Sequence, residues 1–369
     1  MRVALDATPL LGRPTGVGRY VAGLLGGLAG VGLGEIGLAA FTWRGFAEVP
    51  VVPGSVRVGR RVPARAVQAA WLHSGVPPLE WLGVHAEVFH ATNYVLPPGR
   101  AAGVLSVHDL SFALHADTVD AHVARFRALV PRGIARASVV LTLTDAVGDE
   151  VADFYRLDRA RVRTARPGVD AAWLDTAAPD AGWRDAHGLP ERYLVFVGTL
   201  EPRKNVPVLL EALRRLGPRA VPLVLAGPAG WGDPPDLGTL DPGAVLRLGY
   251  LDDAVLRRVV AGAAALVFPT RYEGFGLPPL EALATGTPVV SSDLPVLREV
   301  TGPHARYVPV GDADALADAI GEVLASPPTT AQREAGRAHA AQWTWQRCAQ
   351  EAAAAYRQAA AERGGAAGW

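Results

Sequence analysis

Three residue types are almost missing from this chain. Among its 369 residues there is one Cys, Cys348, one Met and one Lys, Lys204. A lone cysteine excludes an intrachain disulfide framework, and a reducing compartment is the simpler assumption. No uninterrupted apolar run reaches the roughly 18 residues that a membrane-spanning helix needs. The opening Met1-Arg-Val-Ala-Leu-Asp6 carries an acid inside its apolar run, so it reads as a first β-strand rather than a secretory leader. A cytoplasmic protein is therefore expected. An excess of one charge is missing too, since 36 basic residues balance 36 acidic ones. With 50% of the residues hydrophobic, that balance excludes a chain dominated by disorder, and no nucleic-acid partner is expected.

The shortage of lysine is itself informative. The 36 basic residues are 35 Arg and a single Lys, the mark of a base composition that turns Lys codons into Arg. Lys204 is either a chance survivor or a position where a compact, flexible ammonium does what a planar guanidinium cannot.

What is present is strand–helix alternation, run through twice, in a chain long enough for two domains of ordinary size. The first pass begins at Arg2 and closes at Arg161-Val-Arg-Thr-Ala-Arg-Pro-Gly168-Val-Asp170. Residues 171–190 are rich in Ala, Asp, Gly and Pro and read as a linker with one short helical piece. The alternation restarts at Tyr193-Leu-Val-Phe-Val197. The division expected is a first domain over 1–170, a second over 191–345 and a last helix over 346–369. Each domain is α/β, because its short apolar runs end in polar clusters, as central parallel strands do when their C-terminal ends line a site.

The second domain holds the densest motif. Ala264-Ala-Leu-Val-Phe-Pro-Thr270 reads as a buried strand, and Pro278-Pro279 fit only the first turn of a helix. Between them lies the turn Arg271-Tyr-Glu273-Gly-Phe-Gly276. In an open α/β sheet ligands bind at such a place, because the helix N-terminus offers unpaired N–H groups to an anion. Glu273 and Glu281 stand eight positions apart, on either side of those amides, with Glu281 placed in the first helical turn. The plain reading makes Glu281 the complement of its own helix dipole and Glu273 a solvated loop residue. Gly274 and Gly276 flank Phe275, however, and leave the backbone open to a ligand. The same plan recurs at Gly198-Thr-Leu-Glu201-Pro-Arg203-Lys204-Asn205, where two cations face a helix start against its dipole. A bound anion would remove that conflict.

The first domain offers weaker signals. Gly12-Arg-Pro-Thr-Gly16-Val-Gly18-Arg19-Tyr20 lies between the first strand and a helix expected from about Arg19 to Leu28, and suggests phosphate or sugar binding by backbone amides. A dinucleotide fingerprint fails on spacing, since Val21 stands where the third Gly belongs. His108 is a core histidine whose tautomer Asp109 fixes, or a site residue; His90 reads as a core or strand-end histidine. Arg57, Arg60, Arg61 and Arg65 lie in a stretch over Val49 to Trp71 that reads as loop with one short helix; they are solvated, or else touch anionic lipid with Trp71, Leu72 and Trp81 as anchors. Residues 1–170 carry 18 Arg against 14 acids and the rest 18 basic residues against 22, a split that permits membrane contact without demanding it. Asp312-Ala-Asp314 opens a helix and is read as a cap, and no metal is expected.

The run Thr270-Arg-Tyr-Glu-Gly-Phe-Gly-Leu-Pro-Pro-Leu-Glu-Ala282, with Gly286-Thr-Pro-Val-Val290, resembles the Glu-x7-Glu signature of retaining glycosyltransferases with the GT-B fold. This is glycosyltransferase family 4, the group 1 glycosyl transferases, which includes sucrose synthases, glycogen synthases and bacterial mannosyltransferases. The resemblance implies two Rossmann-like, doubly wound domains facing each other across a cleft, with a C-terminal helix crossing back to the first domain, anchored by Trp343 and Trp345. It implies a nucleotide-diphosphate sugar donor whose ribose hydroxyls meet Glu281 and whose diphosphate is gripped by Arg203 and Lys204. Glu273, Gly274, Phe275, Gly276 and Leu277 would place the sugar, and Gly249, Tyr250 and Leu251 would lie beside the base. Gly16 and His108 would approach the donor from the first domain, supported by Arg19 and Asp109. The implied chemistry is metal-independent hexose transfer, without a cofactor, in which Glu273, His108, Arg203 and Lys204 act on the reacting groups.

The acceptor implied is a hydroxyl of a glycan, a lipid-linked or a small molecule, with peripheral contact at the inner membrane face as an accompanying option. His108-Asp-Leu-Ser-Phe112 and the Arg-Tyr-Glu-Gly-Phe-Gly run resemble lipid-linked and cell-surface mannosyltransferases, which puts GDP-mannose first and a UDP-hexose second. Pro167-Gly168 stands where the family has Asn-Gly. Two readings of other classes remain. A nucleotide-sugar 2-epimerase would isomerise its donor without an acceptor and show a different set of carboxylates. A silent sugar-binding protein would have lost one of Lys204, Glu273 or Glu281, and all three are present.

Overall fold

Apolar runs only four to six residues long set the architecture, because a strand covered on both faces by helices has no solvent side on which to alternate. The computed structural model describes residues 1–13, 15–115, 125–231 and 240–366. Seven strands, β1 (Val3–Asp6), β2 (Ile36–Ala39), β3 (Ser55–Val58), β4 (Val88–Ala91), β5 (Ala102–Ser106), β6 (Ala137–Thr142) and β7 (Val162–Thr164), form one sheet. Its order is β3-β2-β1-β4-β5-β6-β7, and every pairing is parallel. Six more, β8 (Leu194–Val197), β9 (Leu223–Ala226), β10 (Val245–Gly249), β11 (Ala265–Phe268), β12 (Val289–Ser292) and β13 (Ala305–Val308), form a second parallel sheet in the order β10-β9-β8-β11-β12-β13. The chain is thus α/β and doubly wound twice over. Strand order reverses between β1 and β4 in one sheet and between β8 and β11 in the other, and crevices for ligands form where that happens.

Among the described residues, the chain divides into two units, one holding Met1 to Gly168 and the chain from Trp343 onwards, the other Val169–Gln342. The stretch 171–190 is therefore no linker. It carries two short helices, Ala171–Leu174 and Ala181–Ala186, and Trp173, 1% exposed, is packed into the second unit. Small and polar residues at high density suggested a tether, but here they cap helices: the Asp180 carboxylate accepts from the Trp183 N–H at 2.8 Å.

Other corrections come from the first unit. The helix after β1 begins at Gly16, not Arg19, because the Thr15 hydroxyl accepts from the Gly18 N–H at 3.1 Å and caps it there. The basic segment read as loop with one short helix has that helix at Ala64–His73 and also contains the edge strand β3. Trp71 is 2% exposed, its indole N–H donating to the Pro77 carbonyl at 2.8 Å, so it is core rather than a membrane anchor. In sequence the stretch from about Ala121 to Ala137 reads as a helix; the structure has one over Phe126–Arg136, and residues 121–124 lie outside the described residues. In the second unit Asp312 caps the helix Ala313–Ala325 by accepting from the Ala315 N–H at 2.9 Å. No described helix is long and apolar enough to cross a membrane.

The last helix, Trp345–Ala366, closes the first unit by packing against Gly16–Leu28. The contact is so close that a Cβ at Gly27 would stand 2.2 Å from the Trp345 carbonyl and one at Gly23 would overlap the Trp345 ring. Ala349, Ala352, Ala353 and Ala359 are fully buried along the same helix. Small side chains let two helix backbones approach until many weak dispersion contacts add up. Tyr356 of this helix holds His90 of β4 through its Nδ1 at 2.8 Å, and the Ser106 hydroxyl meets the His90 Nε2 at 2.8 Å.

Two outcomes are expected. Gly27→Val forces a side chain into that contact and destabilises the first unit by about 3 kcal/mol, read as a lowered urea midpoint, whereas Gly26→Ala, where a Cβ meets nothing within 4 Å, does not lower the midpoint and by helix propensity raises it. Burial pushes the His90 imidazole down from 6.5 to about 3. The unfolded chain then takes up a proton that the folded one refuses, so this stability is complete above pH 6.5 and falls as the pH drops towards 3. Melting temperatures measured from pH 7 to pH 5 should decline less steeply in His90→Asn than in the wild type.

Candidate active site

In the second unit the site grows out of the two turns that leave the carboxyl ends of β8 and β11, the strands at the switch point. After β8 the chain makes a short 3-10 turn, Pro202–Lys204, and Asn205 takes a left-handed backbone, φ 56°, from which the helix Val206–Leu216 starts. After β11 the chain reaches Gly276, φ 96°, where a Cβ would meet Leu297 at 2.6 Å, and the helix Leu277–Ala284 begins. The Arg203 carbonyl ties the turns together, accepting from the Arg271 N–H at 2.9 Å.

The side chains of these turns converge on one carboxylate. Glu273, 6% exposed, accepts from Lys204 Nζ at 2.6 Å and Arg203 Nη1 at 3.3 Å. The Thr270 hydroxyl donates to the same carboxylate at 2.9 Å. Arg203 is held from its other side by Glu201 at 2.7 Å. Lys204, 9% exposed, lies with its ammonium 4.9 Å from the centre of the Phe268 ring. Burial by itself pushes the Glu273 carboxyl up, but the charges of Lys204 and Arg203 and the hydrogen bonds from Lys204 and Thr270 outweigh it and hold it below 4.5. The conflict between two cations and a helix dipole is thus relieved by the chain's own carboxylates, not by a bound anion alone. Thr270 and Glu201 were not singled out from sequence. Their position, three residues before Glu273 and two before Arg203, is the only trace they leave there.

Glu281 stands in the second turn of its helix rather than the first, and is 2% exposed. Gly274, Phe275 and Gly276 are buried beneath the turn and Leu277 half-buried. Gly249 ends β10 and Tyr250 and Leu251 follow it at the same end of the sheet, two strands away from β8, with Tyr250 43% exposed. Parallel strands put all three turns at one end of the sheet, so the second-unit residues expected to hold a donor share that end.

In the first unit His108 follows β5. Its Nε2 meets the Thr92 carbonyl at 2.8 Å, and a carbonyl can only accept, so that nitrogen carries the proton and Nδ1 is left as an acceptor. The tautomer is therefore set by Thr92, not by Asp109. Asp109 Oδ1 instead accepts from the Tyr94 hydroxyl at 3.0 Å, the Ser111 N–H at 3.0 Å and the Ser111 hydroxyl at 2.7 Å. Burial drives the His108 imidazole below 6.5 against the pull of Thr92 and Asp109, which keeps it neutral. Tyr20 lies edge-on to His108, ring centres 5.4 Å apart, and so joins the Gly16–Leu28 helix to it. A Cβ on Gly16 would meet nothing within 4 Å, and Arg19 is half-buried. Asp6, at the end of β1, is a buried acid that sequence reading passed over; burial raises it to about 6. Among the described residues no group of three or more His, Cys, Asp or Glu is placed to hold a metal ion.

Three comparisons with known proteins bear on this site. Residues 191–326 match the family model described as glycosyl transferases group 1. Over 322 residues the chain is 31% identical to the glycogen synthase of Mycobacterium tuberculosis, covering 84% of this chain and 74% of that one. Over 292 residues it is 28% identical to the O-antigen chain mannosyltransferase B of Escherichia coli, covering 73% and 74%. Among solved structures, the sucrose-phosphate synthase of Thermosynechococcus elongatus superposes with a TM-score of 0.69 at 21% identity, covering 98% of this chain and 100% of that one. The Anabaena HepE protein in complex with UDP-glucose superposes with a TM-score of 0.70 at 17% identity, covering 96% and 98%; both share the fold.

The buried cluster makes an asymmetric prediction. Glu273→Leu leaves Lys204 as a buried charge without its carboxylate and costs about 3–5 kcal/mol. Lys204→Met leaves Glu273 paired with Arg203 and Thr270, sets a thioether against Phe268, and costs far less. Urea unfolding of both variants reads the difference, and equal losses would contradict the assignment.

Proposed function

The chain belongs to the glycosyl transferases of group 1 and is a hexosyltransferase, and on that premise we propose that it works with retention and without a metal ion. It moves a hexose from a nucleotide-diphosphate sugar to a hydroxyl of a glycan, lipid-linked or small-molecule acceptor. The observation that carries this reading is the meeting of Lys204, Arg203 and Glu273 at the β8/β11 switch point, inside the residues that match the family model.

In this reading the diphosphate lies over Arg203 and Lys204 and the amides at the start of the helix Val206–Leu216. Glu281 accepts from the ribose hydroxyls, and the backbone from Gly274 to Leu277 receives the sugar. Gly249, Tyr250 and Leu251 pack beside the base. His108 accepts through Nδ1 from a hydroxyl of the transferred hexose, with Asp109 and Arg19 in support and Gly16 leaving space. The bond between the anomeric carbon and the phosphate oxygen breaks, and its electron pair stays on the phosphate. The acceptor oxygen bonds to that carbon on the same face and gives its proton to the departing phosphate. Cations already held in place stabilise the growing charge, an effect worth several kcal/mol in preorganised sites.

GDP-mannose is the first donor proposed, supported by the mannosyltransferase relative. A UDP-hexose is the second, supported by a fold neighbour bound to UDP-glucose. A cytoplasmic site of action, with peripheral contact to the inner membrane face, goes with a lipid-linked acceptor. Trp81, 67% exposed, and the exposed Arg60 and Arg61 support that contact.

Turnover and binding of GDP-mannose, UDP-glucose, UDP-galactose and UDP-GlcNAc, measured with EDTA present, test the reading. One nucleotide family should stabilise the wild type, and its slow donor hydrolysis should fall at least about a hundredfold in Lys204→Ala. Activity that requires a divalent ion, or full activity in Lys204→Ala, would overturn the proposed diphosphate grip.

A further inference from the structure

Tyr94 occupies a place that a bulky residue normally avoids. Its backbone is left-handed, φ 60°, one of three such non-glycine positions among the described residues. Strain of this kind persists only where the surroundings dictate it, and it collects at functional sites. Here the surroundings are identifiable. The Tyr94 N–H donates to the Ser106 carbonyl at 3.1 Å, which folds the turn after β4 over the end of β5.

The side chain that results touches the whole His108 turn. The ring stands edge-on to His108, centres 5.4 Å apart at 85°, and edge-on to Phe112 at 5.4 Å. Phe126 lies behind it at 4.8 Å. The hydroxyl donates to Asp109 Oδ1 at 3.0 Å and accepts from the Asp109 N–H at 3.1 Å. Tyr20 walls the imidazole with a second edge contact at 5.4 Å, and the Thr92 carbonyl takes its Nε2 proton. His108 is thus fixed in position by two tyrosines and in tautomer by one carbonyl. Packing alone would ask only for the ring. The paired hydrogen bonds to Asp109 are an extra constraint, and they act on the residue next to the imidazole.

We propose that Tyr94 is a positioning residue for the transfer reaction: its hydroxyl fixes the His108–Asp109 turn so that His108 Nδ1 accepts from a hydroxyl of the transferred hexose. A neutral imidazole whose only remaining ring atom for hydrogen bonding is an acceptor suits a sugar hydroxyl and not a phosphate oxygen. The assignment rests on the proposed contact of His108 with the hexose, and the experiment separates the two.

Tyr94→Phe keeps the ring and loses only the hydroxyl, and kinetics with the preferred donor are compared in the wild type, Tyr94→Phe and His108→Ala. The expected result is a kcat lowered about tenfold or more in Tyr94→Phe, with donor KM within about twofold because the cations that grip the diphosphate are untouched, and an unchanged melting temperature. A kcat equal to wild type in Tyr94→Phe, with His108→Ala strongly impaired, overturns the role of Tyr94 and leaves that of His108 standing. Wild-type kcat in His108→Ala removes the premise as well. Should Tyr94→Phe fold poorly, Tyr94→Asn, which suits a left-handed backbone, decides: lowered kcat with preserved KM supports the proposal, and full kcat refutes it.

Discussion

The second unit depends on a buried carboxylate. Glu273 could not be ionised in so dry a place without compensation, and Lys204, Arg203 and Thr270 supply it. Two of those partners stand on the turn after β8 and one on the turn after β11, so the electrostatic requirement draws two chain segments together that are some 70 residues apart in sequence. Lys204, Arg203, Glu273 and Glu201 sum to no net charge. The orientation of both cations is therefore fixed by the chain's own carboxylates. Lysine and arginine divide the work by shape: the ammonium fits between a carboxylate and a ring face, while the guanidinium fork reaches Glu201, Glu273 and the Tyr272 carbonyl at once.

The first unit uses the opposite strategy. His108 and His90 are kept neutral by burial, and each is placed by hydrogen bonds to the uncharged groups around it. Histidines held this way carry no charge and make only directed hydrogen bonds, whereas the second unit is organised around ionised side chains.

How much of this was legible beforehand follows from what each residue depends on. The strand–turn–helix plan at Arg203-Lys204 and at Glu273 could be read because the apolar runs, the glycines and the prolines are local signals. The clustering of Lys204 with Glu273 could not, since it arises from β8 and β11 being neighbours, a property of strand order. Edge strand β3 hid among arginines and glycines because an edge is buried on only part of its surface. The segment 171–190 misled in the other direction: polar and small residues that cap helices look the same, in sequence, as those that make a tether. Tyr94 left no sign at all, because its φ is imposed by a hydrogen bond to a residue of the adjacent strand.

The path of the chain has a consequence for synthesis. Val169–Gln342 is one uninterrupted segment, while the unit before it is completed only by residues from Trp343 onwards. On the ribosome, the second unit can thus reach its final form while the first still lacks the helix that seats against Gly23 and Gly27 and supplies Tyr356 to His90. The face of Gly16–Leu28 that the last helix covers must wait through the translation of a whole domain before that helix arrives. The glycines that permit so close a fit at the end also weaken the Gly16–Leu28 helix for as long as it stands alone.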